Sequence, residues 1–162
     1  MRADVKLVGG DEPRRISVAL EPARAADEEA IRRLLQTAGL PHADFAPHLG
    51  HFIVARSGDE VVGAIGAEVH APEALLRSLV VAESLRGRGL GEALVRGLER
   101  AAAAWGVRRW WLLTTSAEAF FVRRGFRVTA RSGAPAIIAA TAEFRGLCPS
   151  VAVCLSRERR DE

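Results

Sequence analysis

The sequence predicts an α/β domain, and three patterns carry that reading. The first is an apolar run from Leu75 to Val81, interrupted by Arg77 and Ser78, that leads through a short polar turn to glycines at 87, 89 and 91. A long amphipathic repeat follows. Strand, glycine loop and helix in that order point the amides of the helix start outward, where they hold an anion. Glycine lets the backbone approach that anion with no Cβ in the way. The second pattern is a set of period-two segments upstream, and the third is helix-period segments interleaved with them.

Taken in order, Ile16 to Leu20 alternates apolar and polar residues and reads as a first strand. Asp27 is a candidate helix N-cap or first-turn acid, and Glu28 and Glu29 suit the positive end of a helix dipole. Ile31, Leu34, Leu35 and Ala38 then recur at helical spacing, and Gly39-Leu40-Pro41 ends that helix. His42 to Gly50 reads as a loop or short helix. His51 to Arg56 and Val61 to His70 are strands joined by the hairpin turn Ser57-Gly58-Asp59-Glu60. Val62, Ala64, Gly66, Glu68 and His70 share one face of the longer strand, a small-sided face with room for a substrate beside a carboxylate.

The helix from Leu90 presents Leu94, Leu98, Ala101 and Trp105 on one side and Glu92, Arg96, Glu99 and Arg100 on the other, with Gly106 as its stop. Arg108 to Thr115 is a strand whose apolar run suggests burial on both faces. Ala117 to Phe126 holds a short helix ended by glycine, and Arg127 to Ala130 is extended. Ala134 to Phe144 is alanine-rich and expected to be helical, and Val151 to Leu155 is a last strand.

A chain of 162 residues fits one domain with a real core. The expected organisation is a flexible leader over 1–15, the domain over 16–156 and a polar tail over 157–162. No apolar run approaches the ~20 residues of a membrane helix, and the start has no signal-peptide core, so a cytoplasmic protein is expected. The net charge of +3 invites a nucleic-acid reading, but the arginines are scattered and alternate with acids, as a solvated surface does. Cys148 and Cys154 lack zinc-site spacing, and no metal is expected.

Spacing decides which anion loop this is. A dinucleotide fingerprint would need a third glycine where Glu92 stands, and a P-loop would need a lysine, of which the chain has only Lys6. What stands here is Arg-x-x-Gly-x-Gly, Arg86 through Gly91. That resembles the acyl-coenzyme A signature of the Gcn5-related N-acetyltransferase (GNAT) superfamily. A second signature, Ala-x-x-Phe-Tyr-x-x-x-Gly-Phe, is matched by Ala117, Phe120, Phe121, Gly125 and Phe126, with Phe121 where tyrosine is usual. Leu113 to Glu118 and Thr141 to Pro149 are similar to the arsenic-resistance N-acetyltransferases. The Phe-x-x-Leu-Cys-Pro stretch at 144–149 is also similar to acetyltransferases of the N-acetylglutamate synthase type.

The resemblance implies one mixed, mostly antiparallel sheet of about six to seven strands with a central V-shaped splay, flanked by four to five helices. It implies acetyl-CoA as co-substrate and a small-molecule amine as acceptor, glutamate-like or an arsenical or phosphinic analogue, attacking the thioester directly. Pairing as a homodimer through the last strands is common in the superfamily. By the same resemblance the amides of Leu79, Val80 and Val81 meet the thioester and pantetheine. Those of Arg86, Gly87, Arg88, Gly89, Leu90 and Gly91 hold the pyrophosphate, and Phe121 packs at the far end of the cofactor. Glu68 is the candidate general base and His70 its rival. Arg77 is a candidate clamp for an acceptor carboxylate, and Thr114 and Thr115 offer hydroxyls. The chain has no tyrosine, so no general acid is assigned, and a non-catalytic acetyl-CoA sensor is the alternative function.

Overall fold

The computed structural model describes residues 17–160. The expected leader and Ile16 lie outside them. The strands are β1 (Ala19–Pro22), β2 (Phe52–Ser57), β3 (Glu60–His70), β4 (Glu73–Val81), β5 (Arg109–Thr114), β6 (Arg127–Val128) and β7 (Val153–Glu158). The α-helices are α1 (Glu28–Thr37), α2 (Leu90–Ala102), α3 (Glu118–Val122) and α4 (Ala136–Ala139), joined by short 3₁₀ and π turns. The strands form a seven-stranded sheet in the order β1-β2-β3-β4-β5-β7-β6. Pairings β1–β2, β2–β3, β5–β7 and β6–β7 are antiparallel and β4–β5 is parallel. The β4–β5 ladder covers Glu73–Leu75 against Arg109–Trp111 and ends there, while β4 runs on to Val81 and β5 to Thr114. This is the mixed α/β fold that the resemblance implied. None of the described helices is long and apolar enough to cross a membrane.

The chain divides into two compact units, one of residues up to Gly66 with Ser78–Ala101, the other of Ala67–Arg77 with Ala102 onward. In the first, Ile31, Leu35, Phe45, Phe52, Val54, Val61, Ala64 and Val80 make a common core. Ten residues are too few for a stable helix alone, so α1 depends on its buried stripe of Ile31 and Leu35. Burying such a side chain contributes about 1.5–3 kcal/mol. Asp27 takes the N-cap position of α1 without bonding its amides: its carboxylate accepts the amide of Arg24 at 2.8 Å and pairs with the Arg56 guanidinium at 2.9 and 3.0 Å. Helix α2 buries Leu90, Leu94 and Leu98, and Gly63 and Gly97 allow its close approach, with Leu94 and Leu20 respectively against their α-carbons.

The small-sided face of β3 is not open. Phe52 stands opposite Gly66 across the β2–β3 ladder, and a Cβ on Gly66 would clash with three carbons of its ring. The room that Gly66 leaves is occupied by Phe52, a filling the one-strand pattern does not reveal.

In the second unit Leu75, Trp111, Ile138 and Cys154 form a buried cluster, with Leu113, Ala134 and Phe144 against it. Trp110, Trp111 and Leu112 are all buried, as the unbroken apolar run of β5 suggested. The helix expected over 134–144 is instead one α turn and a π turn, Glu143–Leu147. The Thr141 hydroxyl donates to the Ile138 carbonyl at 2.7 Å, and Ile138 and Glu143 are both drawn inward, which a single straight helix would not allow at a separation of five residues. Strand β7 continues to Glu158, past the expected Leu155 and into the residues read as a polar tail.

Gly66→Ala is expected to lower unfolding stability by about 1–3 kcal/mol, the usual cost of overpacking a filled core, measured by urea denaturation. Unchanged stability would mean that the Phe52 ring relaxes freely.

Candidate active site

The glycine loop begins where β4 ends. Leu79 and Val81 are half-buried while Val80 is buried, the alternation of a strand with one covered face. The Val81 carbonyl accepts the Arg86 Nε–H at 3.1 Å, and the Ala82 amide donates to the Val62 carbonyl at 2.8 Å. A 3₁₀ turn over Glu83–Leu85 then lets Leu85 plug into the protein, and Leu90 does the same at the start of α2. Between these two anchors the backbone bulges outward. The Arg86 amide is used internally, by the Glu83 carbonyl at 3.3 Å. Among the described residues no backbone bond engages the amides of Gly87, Arg88, Gly89, Leu90 or Gly91.

Gly87 and Gly89 take φ of +76° and +84°, and nothing lies within 4 Å of where a Cβ would stand on either. The loop is therefore open beside both glycines, and it stands at the positive end of a helix. Arg86 ties the loop back to β4 with its side chain; Arg88, half-buried, is the guanidinium closer to hand for an anion.

In the second unit the candidate chemistry is enclosed. Glu68 and Arg77 are each 3% exposed, and Arg77 Nη1 donates to Glu68 Oε1 at 2.7 Å. The other end of the same guanidinium, Nη2, lies 3.6 Å from Glu143 Oε1, and Glu143 is also buried. A buried guanidinium must be paired, and this one is engaged by two carboxylates. Arg77 thus faces inward to internal partners, whereas the sequence reading turned it toward an acceptor carboxylate. His70 stands half-buried at the end of β3.

The Thr114 hydroxyl oxygen accepts the amides of Ala117 at 3.0 Å and Ser116 at 3.4 Å, so it caps the entry to α3, while Thr115 is exposed. Phe121 is enclosed rather than presented, edge-on to Phe120 at 5.0 Å and to Phe126 at 5.3 Å. With no hydroxyl to satisfy, nothing draws that ring outward as it would a tyrosine.

Residues 17–126, more than half of the chain, match the model of the acetyltransferase (GNAT) family. The chain belongs to that family. No curated protein matches it significantly in sequence. Among solved structures, N-acetylglutamate synthase from Neisseria gonorrhoeae, complexed with coenzyme A and N-acetyl-glutamate, superposes with a TM-score of 0.76 at 20% identity over 89% of this chain. The chain spans 35% of that synthase's length. Rv2747 from Mycobacterium tuberculosis, in complex with CoA and NLQ, gives 0.71 at 22% identity over 86% of this chain and 98% of its own. Arabidopsis thaliana Naa50, in complex with a bisubstrate analogue, gives 0.65 at 17% over 86% and 97%. At these identities the likeness is one of fold.

The loop's chemistry fits the diphosphate of a coenzyme A-type molecule. Five amides that no backbone carbonyl takes and two glycines with open space beside them supply donors and close approach, and a Cβ-bearing residue at either glycine would strain the backbone. Among the described residues no group of three His, Cys, Asp or Glu side chains is arranged to hold a metal ion.

Two features escaped the sequence reading. Ser78 takes φ of +60° inside β4, a kink that glycine would normally mark; its trace is the polar Arg77-Ser78 pair interrupting an apolar run. Glu143 joins Arg77 from 66 residues downstream. Its signal was isolation, since it is the only acidic residue between Glu118 and Glu158.

Gly89→Val is expected to weaken coenzyme A binding at least tenfold, read by isothermal titration calorimetry. The accompanying stability loss should stay at about 1–2 kcal/mol, the cost of a branched residue in the left-handed region. Undiminished binding would show that this loop does not hold the diphosphate.

Proposed function

We propose that this acetyltransferase acylates the amine of a small amino-acid-like acceptor, glutamate-like or an arsenical or phosphinic analogue of glutamate, as a cytoplasmic enzyme serving arsenic resistance. The observation that carries the reading is the buried Glu68 carboxylate, held at 2.7 Å by Arg77, a fixed base for an ammonium in a protein whose loop fits acetyl-CoA. The neighbour complexed with coenzyme A and N-acetyl-glutamate supports the acceptor class. Burial pushes the Cys154 thiol up, with Arg131 opposing. That disfavours the thiolate a soft metalloid would need and supports acetylation as the detoxifying act.

In this reading acetyl-CoA supplies an activated acetyl thioester. Glu68 takes a proton from the acceptor's ammonium, directly or through a water. The freed amine forms the N–C bond at the thioester carbonyl, and in this reading a backbone amide of the Leu79 to Val81 stretch meets the oxygen on which charge develops. The C–S bond breaks, the thiolate departs, and the second proton on the nitrogen passes to that thiolate or to water. A thiol with a pKa of about 8.5 leaves without prior protonation, so a chain with no tyrosine still completes the transfer. Arg77 acts on Glu68 rather than on the acceptor, and the exposed Thr115 offers a hydroxyl to it.

A thiol-release screen over amino acids, arsenicals and phosphinic analogues tests this. Release with a glutamate-like amine is expected, and Glu68→Gln is expected to reduce kcat by about 10²-fold or more while coenzyme A affinity holds. A folded, coenzyme A-binding sample that releases no thiol with any amine would refute the reading.

A further inference from the structure

We propose that Glu143 is a positioning residue for acetyl transfer: through Arg77 it sets the direction in which the Glu68 carboxylate is held. The proposal rests on Glu68 being the base. A guanidinium is a rigid plane with five N–H donors. One bond, Nη1 to Glu68 at 2.7 Å, engages one end of that plane. A second carboxylate, Glu143, pairs with the other end at 3.6 Å from Nη2, so the two acids act on opposite ends of one rigid cation.

Glu143 is itself firmly seated. Ile138, five residues before it, is fully buried against Leu75, Trp111 and Cys154, and the Thr141 hydroxyl bonds back to Ile138. On the far side the Cys148 amide donates to the Glu143 carbonyl at 3.1 Å. Leu75 and Arg77 lie two apart on β4 and so share a face, which places the Ile138 anchor and the Glu143 contact along one line of the strand. The energetics favour orientation over stability as the reason for this arrangement. Each buried ion costs several kcal/mol to desolvate, and a well-packed apolar replacement of such a network is often as stable.

Glu143→Gln keeps the shape and removes the charge. It is expected to lower kcat about tenfold, because small misplacements of a catalytic group carry penalties of that order, and to leave the KM for acetyl-CoA within about twofold. Glu143→Asp is expected to recover part of the loss, and melting curves confirm that both variants fold. An unchanged kcat in Glu143→Gln, or a loss that falls equally on the KM for acetyl-CoA, overturns the proposal. The carbon-13 shift of the Glu68 carboxyl at one fixed pH, assigned by its loss in Glu68→Gln, reads the same coupling without turnover. It is expected to move in Glu143→Gln and to return toward wild type in Glu143→Asp. If the wild-type protein acetylates no amine, the functional reading fails on its own. An unmoved Glu68 shift separately refutes the positioning.

Discussion

The first turn of an α-helix cannot satisfy its own amide groups, and the glycine loop of this protein is built on that constraint. Leu85 and Leu90 pin the backbone on either side, so the segment between them neither folds back on itself nor continues the helix early. Positive φ at Gly87 and Gly89 turns it outward. Amides without a protein partner are costly unless water or a ligand reaches them, and the space beside Gly87 and Gly89 is open.

A second constraint operates in the other unit. A guanidinium that is wholly enclosed must find carboxylates, and Arg77 finds one on β3 and one on the π turn. The network draws the stretch after Gly133 into an irregular path, with one α turn, a buried Thr141 and a π turn where a continuous helix was expected. Helical propensity of an alanine-rich stretch is a matter of tenths of a kcal/mol per residue. Burial of Ile138 and pairing of Glu143 outweigh it.

Much of the fold was legible because its signals are local. Period-two segments and the Ser57–Glu60 turn mark the β2–β3 hairpin, and Gly39 and Gly106 mark helix ends with left-handed φ in the structure. The glycine loop and its helix were legible for the same reason, since strand, turn and amphipathic stripe are contiguous. Ser78 was not, because a serine in the left-handed region carries no compositional mark. Asp27 stands where it was expected, at the N-cap position of α1 and in the first turn of the 3₁₀ segment before it, yet its carboxylate bonds to Arg24 and to Arg56, 29 residues later, rather than to the amides of α1. The small-sided face of β3 looked like vacant room only until Phe52 was placed opposite Gly66.

The sequence by itself determined the class of fold, the order of its strands and helices, and an anion loop whose spacing excludes both dinucleotide and nucleotide-triphosphate cradles. Those properties depend on residues within a few positions of one another. Only the tertiary structure decided which charges meet. Arg77 joins Glu68 nine residues back and Glu143 66 residues on, and Trp111 gives its indole N–H to Glu73 at 2.5 Å across the parallel ladder. The physical reason is that electrostatic pairing acts through space and is enforced by desolvation, so a partner's distance along the chain carries no information about whether it will be found.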